Sequence, residues 1–155
     1  SSAASDVYKR QVQTGRVPAL QPRPTVLLFG AHWCVNCKAF AARAREVLGA
    51  HAQLVFVHID DVDLGEGKDD GQIAGFVREL VSILPEGTTI LQRGDGGLVQ
   101  SWGFDKRALP AAALILPDGT VFRSLQHASA DEEQAALTSF LGQIAPEGSG
   151  TRNHP

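Results

Sequence analysis

The sequence predicts an α/β fold, a central mixed β-sheet of about five strands with helices on both faces, ending in a C-terminal β-hairpin and a helix. Three observations predict it. A short apolar run, Thr25 to Gly30, is followed at once by apolar residues at helical spacing and then by a second β-rich run, Gln53 to Asp60. A strand, a helix and a strand in that order make a parallel pair with a right-handed crossover. Further on, Ala111 to Leu116 and Thr120 to Leu125 flank Pro117-Asp118-Gly119, which is the pattern of an antiparallel hairpin.

Each element has its own signal. Thr25 to Gly30 is apolar without alternation, as suits a strand buried on both faces. Cys37, Phe40, Ala41, Ala44, Val47 and Leu48 lie on one helical face, and Gly49 closes that helix. Ile73, Phe76, Val77, Leu80, Val81 and Leu84 follow the i, i+3, i+4 rule, and Pro85 marks the end of this second helix. Thr88 to Gln92 is a third strand, followed by the turn residues Gly94 to Gly97 and a short apolar segment from Leu98 to Phe104. Ser129 and Glu132 form a capping-box pair ahead of a last helix that buries Leu137, Phe140, Leu141 and Ile144. Residues 1–21 are an irregular lead-in, 22–146 one domain, and 147–155 a Gly-rich polar tail expected to lack order.

Composition removes several function classes. The net charge of -3 is spread along the chain without a run of Lys or Arg, so a nucleic acid or an anionic membrane has no footprint. No apolar stretch is long enough to span a bilayer. The chain has 0 methionines, so Ser1 is not an initiator, and an export signal or anchor upstream of it is expected. The acidic loop from Asp60 to Gly71 contains Asp61-x-Asp63, but Gly65 and Glu66 stand where a calcium loop needs an oxygen ligand and its turn glycine, so it reads as a solvated loop.

The chemistry-bearing motif is Trp33-Cys34-Val35-Asn36-Cys37-Lys38, which holds both cysteines of the chain. Disulfide exchange needs an attacking thiolate, a second thiol close enough to resolve the mixed disulfide, and access for a partner sulfur. Cysteines three apart at a helix start meet the spacing a disulfide tolerates. If Cys34 caps the helix, the unpaired backbone N–H groups and the positive end of the helix dipole stabilise its thiolate, while Cys37, a turn inside, lacks that help. Cys34 then attacks and Cys37 resolves, with Lys38 adding a positive charge nearby. The competing reading is half of a zinc site, but no further cysteine remains and His32, His51, His58 and His127 show no paired ligand spacing. His32 reads as an exposed loop residue.

The strand end Phe29-Gly30-Ala31-His32-Trp33 running into the CxxC, together with Leu109-Pro110-Ala111 before the hairpin, resembles the thioredoxin superfamily. The segment between the second strand and Pro110, with its extra helix and strand, is most similar to the TlpA-like extracytoplasmic thiol-disulfide oxidoreductases. The resemblance spans about Thr25 to Ile144 by element order and is specific at the two motifs. It implies a cis-proline at Pro110 facing the cysteines, a Leu109 backbone that pairs with an extended substrate segment, and Trp33 as a shield and contact surface. It implies no cofactor beyond the redox-active disulfide and no metal. The partners are protein thiols and disulfides, plus an upstream thiol reductase or oxidase, and the chain acts as a monomer in an extracytoplasmic setting, a cytoplasmic one being the other possibility. Two departures stand out. Leu28 occupies the position of the buried Asp that moves the proton of the resolving cysteine, and Val35-Asn36 replaces the Gly-Pro of reducing thioredoxins, which bears on the balance between dithiol and disulfide. The alternatives are a copper-delivery module using the cysteines with His127, and a redox-silent binding scaffold.

Overall fold

The computed structural model describes residues 10–12, 22–60, 70–93, 97–126 and 128–145. Among the described residues these elements follow one another: β1 (Thr25–Gly30), α1 (Cys37–Leu48), β2 (Gln53–Ile59), α2 (Asp70–Ile83), β3 (Thr89–Arg93), α3 (Gly97–Ser101), β4 (Ala111–Ile115), β5 (Val121–Arg123) and α4 (Ala130–Ile144). The lead-in, the acidic loop with Asp61 and Asp63, His127 and the tail lie outside the described residues or mostly so.

The five strands form one mixed sheet in the order β3-β2-β1-β4-β5. β1 pairs in parallel with β2, and β2 with β3, whereas β4 runs antiparallel to both β1 and β5. β1 is therefore the central strand, and all six of its residues are buried, which is why its sequence shows no alternation. Val26 and Leu28 point to one face, Leu27 and Phe29 to the other. α1, α2 and α4 cover the first face with Phe40, Ala44, Leu48, Phe76, Leu80, Leu137 and Phe140. On the second face Leu98, Val99, Trp102 and Phe104 pack with Val12, whose carbonyl accepts a hydrogen bond from Trp102 Nε1 at 3.1 Å.

Local chemistry sets the element ends. The turn between β4 and β5 places Gly119 at φ +92°, a conformation other residues adopt with difficulty. Asp118 Oδ1 accepts from Thr120 N–H at 2.9 Å, and these bonds hold the Asp118 carboxyl below its ordinary range. α4 opens with the expected capping box, Glu132 N–H donating to Ser129 Oγ and Ser129 N–H to Glu132 Oε1. The segment from Leu98 carries a helix, α3, that its length concealed: a single turn is too short to show a period. Gly49 does end α1, but in a right-handed conformation (φ -59°), its N–H donating to Arg45 O at 2.8 Å.

α1 and α4 are also joined by Arg43 and Glu133, an ion pair largely withdrawn from water. Burial pushes the Glu133 carboxyl up, and the Arg43 guanidinium opposes this without cancelling it. The folded protein therefore binds that proton more tightly than the unfolded chain, and ionised Glu133 weakens the fold as pH rises through its titration. Removing the cation alone, in R43M, leaves a buried carboxylate and should cost about 2 kcal/mol, whereas R43M/E133L should recover most of the loss. Urea denaturation of the two variants checks this, and a double variant no more stable than R43M contradicts it.

Candidate active site

The site forms where β1 ends. After Gly30 the chain turns through Ala31, His32 and Trp33, and Cys34 N–H donates to Ala31 O at 3.1 Å. A second turn, with Cys37 N–H on Cys34 O at 3.4 Å, leads into α1. Helix α1 begins at Cys37, and its N-cap is Asn36, whose side chain makes no capping bond. Cys34 thus stands two residues ahead of the cap and is not itself the capping residue. It stays beside the helix start because it is bonded to the first helical residue: Cys34 and Cys37 form a disulfide with Cα atoms 5.5 Å apart.

The two sulfurs differ in surroundings. Cys37 is fully buried among Val26, Leu28, Phe40 and Phe56, while Cys34 is partly exposed. Val35 is 91% exposed, and Asn36 is exposed beside it, so the cysteine turn projects from the surface. Gly30 makes the close packing possible. A Cβ at this position would lie 2.8 Å from Cys37 Sγ and from Phe56 Cζ, and neither a half-cystine nor a core ring gives way cheaply.

Trp33 is half-buried, and its Nε1 is enclosed without a partner. With His32, Lys38, Gln72, Gly75, Phe76 and Glu79 it lines an open groove between α1 and α2. Lys38 donates to Glu79 at 2.7 Å, so the charge expected to favour a thiolate is paired with a carboxylate of α2. That pairing was invisible in the sequence because it joins residues on separate helices.

The other wall comes from the segment before β4. The Leu109-Pro110 peptide is cis. Ala111 is the register partner of Phe29, so Pro110 lies beside the C-terminal end of β1, from which the cysteine turn departs. Leu109 packs against the cluster that contains Cys34 and Cys37. Gln126, which sequence reading passed over, holds this wall: its Nε2 donates to Asp105 O at 3.0 Å and Ala108 O at 2.9 Å, and its Oε1 accepts from Asp105 N–H at 2.9 Å.

His32 departs from expectation most. It is half-buried, with its backbone N and its ring Nδ1 each 3.3 Å from Nε2 of His58. His58, the register partner of Gly30 on β2, is fully buried, and its ring lies 5.7 Å from that of Phe76. Burial, then the neighbouring His32, lowers the His58 pKa to about 4 against a smaller opposing effect of Asp60. Among the described residues no three His, Cys, Asp or Glu side chains come together to hold a metal ion, and His127 is outside them.

A mixed sheet with helices on both faces, a CxxC disulfide at the start of the helix after the central strand, and a cis-proline beside it define a thioredoxin-like domain. No protein-family model and no curated protein matches the chain. Solved structures do. A secreted disulfide oxidoreductase of Mycobacterium tuberculosis, described as homologous to E. coli DsbE, shares 26% identity at a TM-score of 0.54, over 81% of this chain and 84% of that one. The dsbF protein of the same organism shares 26% at a TM-score of 0.51, over 78% and 83%. The N-terminal domain of PilB from Neisseria gonorrhoeae shares 25% at 0.54, over 87% and 85%. The chain is a thiol-disulfide oxidoreductase of the thioredoxin superfamily.

Two outcomes follow from the packing. G30A should destabilise the disulfide form by about 1–3 kcal/mol, and the dithiol form by less, because a free thiol can rotate away; urea titrations with and without reductant measure both, and equal losses count against the contact. Between its ordinary value of 6.5 and about 4, His58 binds a proton in the unfolded chain and not in the folded one. Its contribution to stability is therefore complete above the upper value and lost as pH falls to the lower, a change of roughly 3 kcal/mol. Thermal melts against pH should show this acid-side loss shrinking in H58Q, and parallel curves would exclude it.

Proposed function

We propose that this chain exchanges disulfides with protein partners outside the cytoplasm, with Cys34 as nucleophile and Cys37 as resolving thiol. The observation that carries the assignment is the unequal exposure of the two sulfurs: a partner sulfur can approach Cys34 but not the fully buried Cys37. In the reducing direction, the Cys34 thiolate attacks a partner disulfide, one partner sulfur leaves, and the Cys34 mixed disulfide forms. Cys37 then attacks Cys34, the second partner sulfur is released, and the pair closes to the disulfide. The oxidising direction is the same path reversed.

Backbone N–H groups in the first turn of α1, at the positive end of its dipole, supply the stabilisation of the Cys34 thiolate, since Lys38 is ion-paired. Trp33 and Val35 give a partner an apolar surface beside the sulfur, and the Leu109 backbone beside Pro110 offers an extended segment a strand-like edge. Pro110 contributes no N–H that would compete there. Val35 and Asn36 set the relative stability of thiolate and disulfide without touching the core. Residues 22–146 act as one domain and as a monomer, and an upstream thiol reductase or oxidase returns the pair to its starting state. The secreted Mycobacterium protein and the absence, among the described residues, of a helix long and apolar enough to cross a membrane are compatible with an extracytoplasmic site of action. No cofactor beyond the cysteine pair is needed for this chemistry.

Cys37→Ser should accumulate partner proteins on Cys34 as mixed disulfides visible on non-reducing gels, Cys34→Ser should capture none, and the wild type should reduce insulin. A C37S protein that traps nothing, with an inactive wild type, defeats the proposal.

A further inference from the structure

The turn that presents Cys34 is tied across the sheet as well as along the chain. Two of its backbone bonds, Cys34 N–H on Ala31 O at 3.1 Å and Cys37 N–H on Cys34 O at 3.4 Å, follow the chain into α1. His32 N–H instead donates to Nε2 of His58 on β2, 3.3 Å away and 26 residues further along the sequence. An imidazole nitrogen that accepts carries no hydrogen, so the hydrogen of this neutral ring is on Nδ1. His32 Nδ1 stands 3.3 Å from the same Nε2. Two bare nitrogens facing each other would repel, so the hydrogen of His32 points there too. One lone pair of His58 thus holds both the backbone and the ring of His32.

Two observations mark this contact as more than packing. His58 is fully buried, and its Nδ1 is enclosed without a hydrogen-bond partner. A buried donor left unpaired destabilises the fold. An apolar side chain against the ring of Phe76 would avoid that cost, but it would not supply Nε2. Burial, then the neighbouring His32, lowers the His58 pKa to about 4 against the opposing effect of Asp60, so Nε2 keeps its lone pair at neutral pH. The second observation is the register. His58 is the partner of Gly30, the residue over which Cys37 Sγ is seated. A single rung of the β1–β2 pair therefore supports both halves of the CxxC, Gly30 at Cys37 and His58 at the turn that leads to Cys34.

We propose that His58 is a positioning residue for disulfide closure: through Nε2 it holds the His32 turn, and with it Cys34, within reach of the anchored Cys37. Attack by Cys34 on a partner needs little of this support, because that sulfur is accessible. Closure is intramolecular, and both its rate and its equilibrium scale with the effective concentration of one sulfur at the other. In that step the Cys37 thiolate bonds to Cys34 Sγ, the bond from Cys34 to the partner sulfur breaks, and the partner sulfur leaves as thiolate with the electron pair. The cysteine pair has then lost two electrons and the partner has gained them. His58 neither gives nor takes a proton; it acts through the place of the turn alone.

The inference rests on the exchange reading, and the test separates the two. Reduced chain is mixed with dithiobis-nitrobenzoate in stopped flow: the first coloured thiolate released reports attack by Cys34, and the second reports attack by Cys37 on the mixed disulfide. H58N carries an amide too short to reach His32 N–H. It should slow the second release about tenfold, leave the first within about twofold, and shift the potential of the cysteine pair, measured against glutathione, about 30 mV less negative for a tenfold loss in the closure equilibrium. H58Q, one carbon longer, places an amide oxygen where Nε2 stands and should bring the second release back to within about threefold of the wild type. H58L, which has no acceptor and suits the apolar surroundings, should behave as H58N and decides the matter if H58N does not fold. A second release at the wild-type rate in H58N or H58L, both phases slowed alike, or a folded H58Q as slow as H58N overturns the positioning role while leaving exchange intact. Absence of any first phase in the wild type would instead defeat the exchange reading.

Discussion

The contact on which the site depends is the seating of Cys37 Sγ directly over Gly30, at the end of the buried central strand. It fixes one half of the disulfide to the most rigid part of the sheet, since β1 is hydrogen-bonded on both edges and covered on both faces. Everything reactive is then arranged around a fixed sulfur. Cys34 is held at the surface by the short turn from Ala31, and the cis-proline segment is brought alongside by the pairing of β4 with the same strand. Dispersion contacts and backbone ladders, not charges, do this positioning, which agrees with a site whose nearest lysine is committed to a glutamate.

The two walls of the site have different origins. The cysteine wall is local: strand, turn and helix are contiguous in sequence. The proline wall depends on residues far apart in sequence, with Gln126 bridging to the backbone of Asp105 and Ala108, and Arg123 Nε donating to Trp102 O where Gly103 turns the chain at φ +89°. A partner segment laid between the walls would therefore contact two independently braced surfaces. This division suits exchange chemistry, in which one wall supplies the sulfur and the other orients the incoming backbone.

Much of the architecture was legible in the residues because the periodicities were strong. The uninterrupted TVLLFG run, the stripe from Ile73 to Leu84, the Pro117-Asp118-Gly119 turn and the Ser129 capping box each correspond to an element now seen, with boundaries shifted by a residue or two. The CxxC was equally plain. What escaped was whatever depends on distant residues meeting. α3 is too short to carry a period, the N-cap fell on Asn36, whose side chain makes no capping bond, and Lys38 found Glu79 on another helix. His32 looked like a loop histidine because its partner, His58, is 26 residues away and belongs to a strand whose pairing had first to be known.

The bond from Trp102 to Val12 bears on which side of the sheet is already occupied. It holds Val12 against the layer formed by α3, behind the sheet, whereas the cysteines lie on the opposite layer with α1. A contact made on that rear layer leaves the sulfur-bearing rim uncovered, so the domain is built like a tool with its grip and its cutting edge on opposing sides.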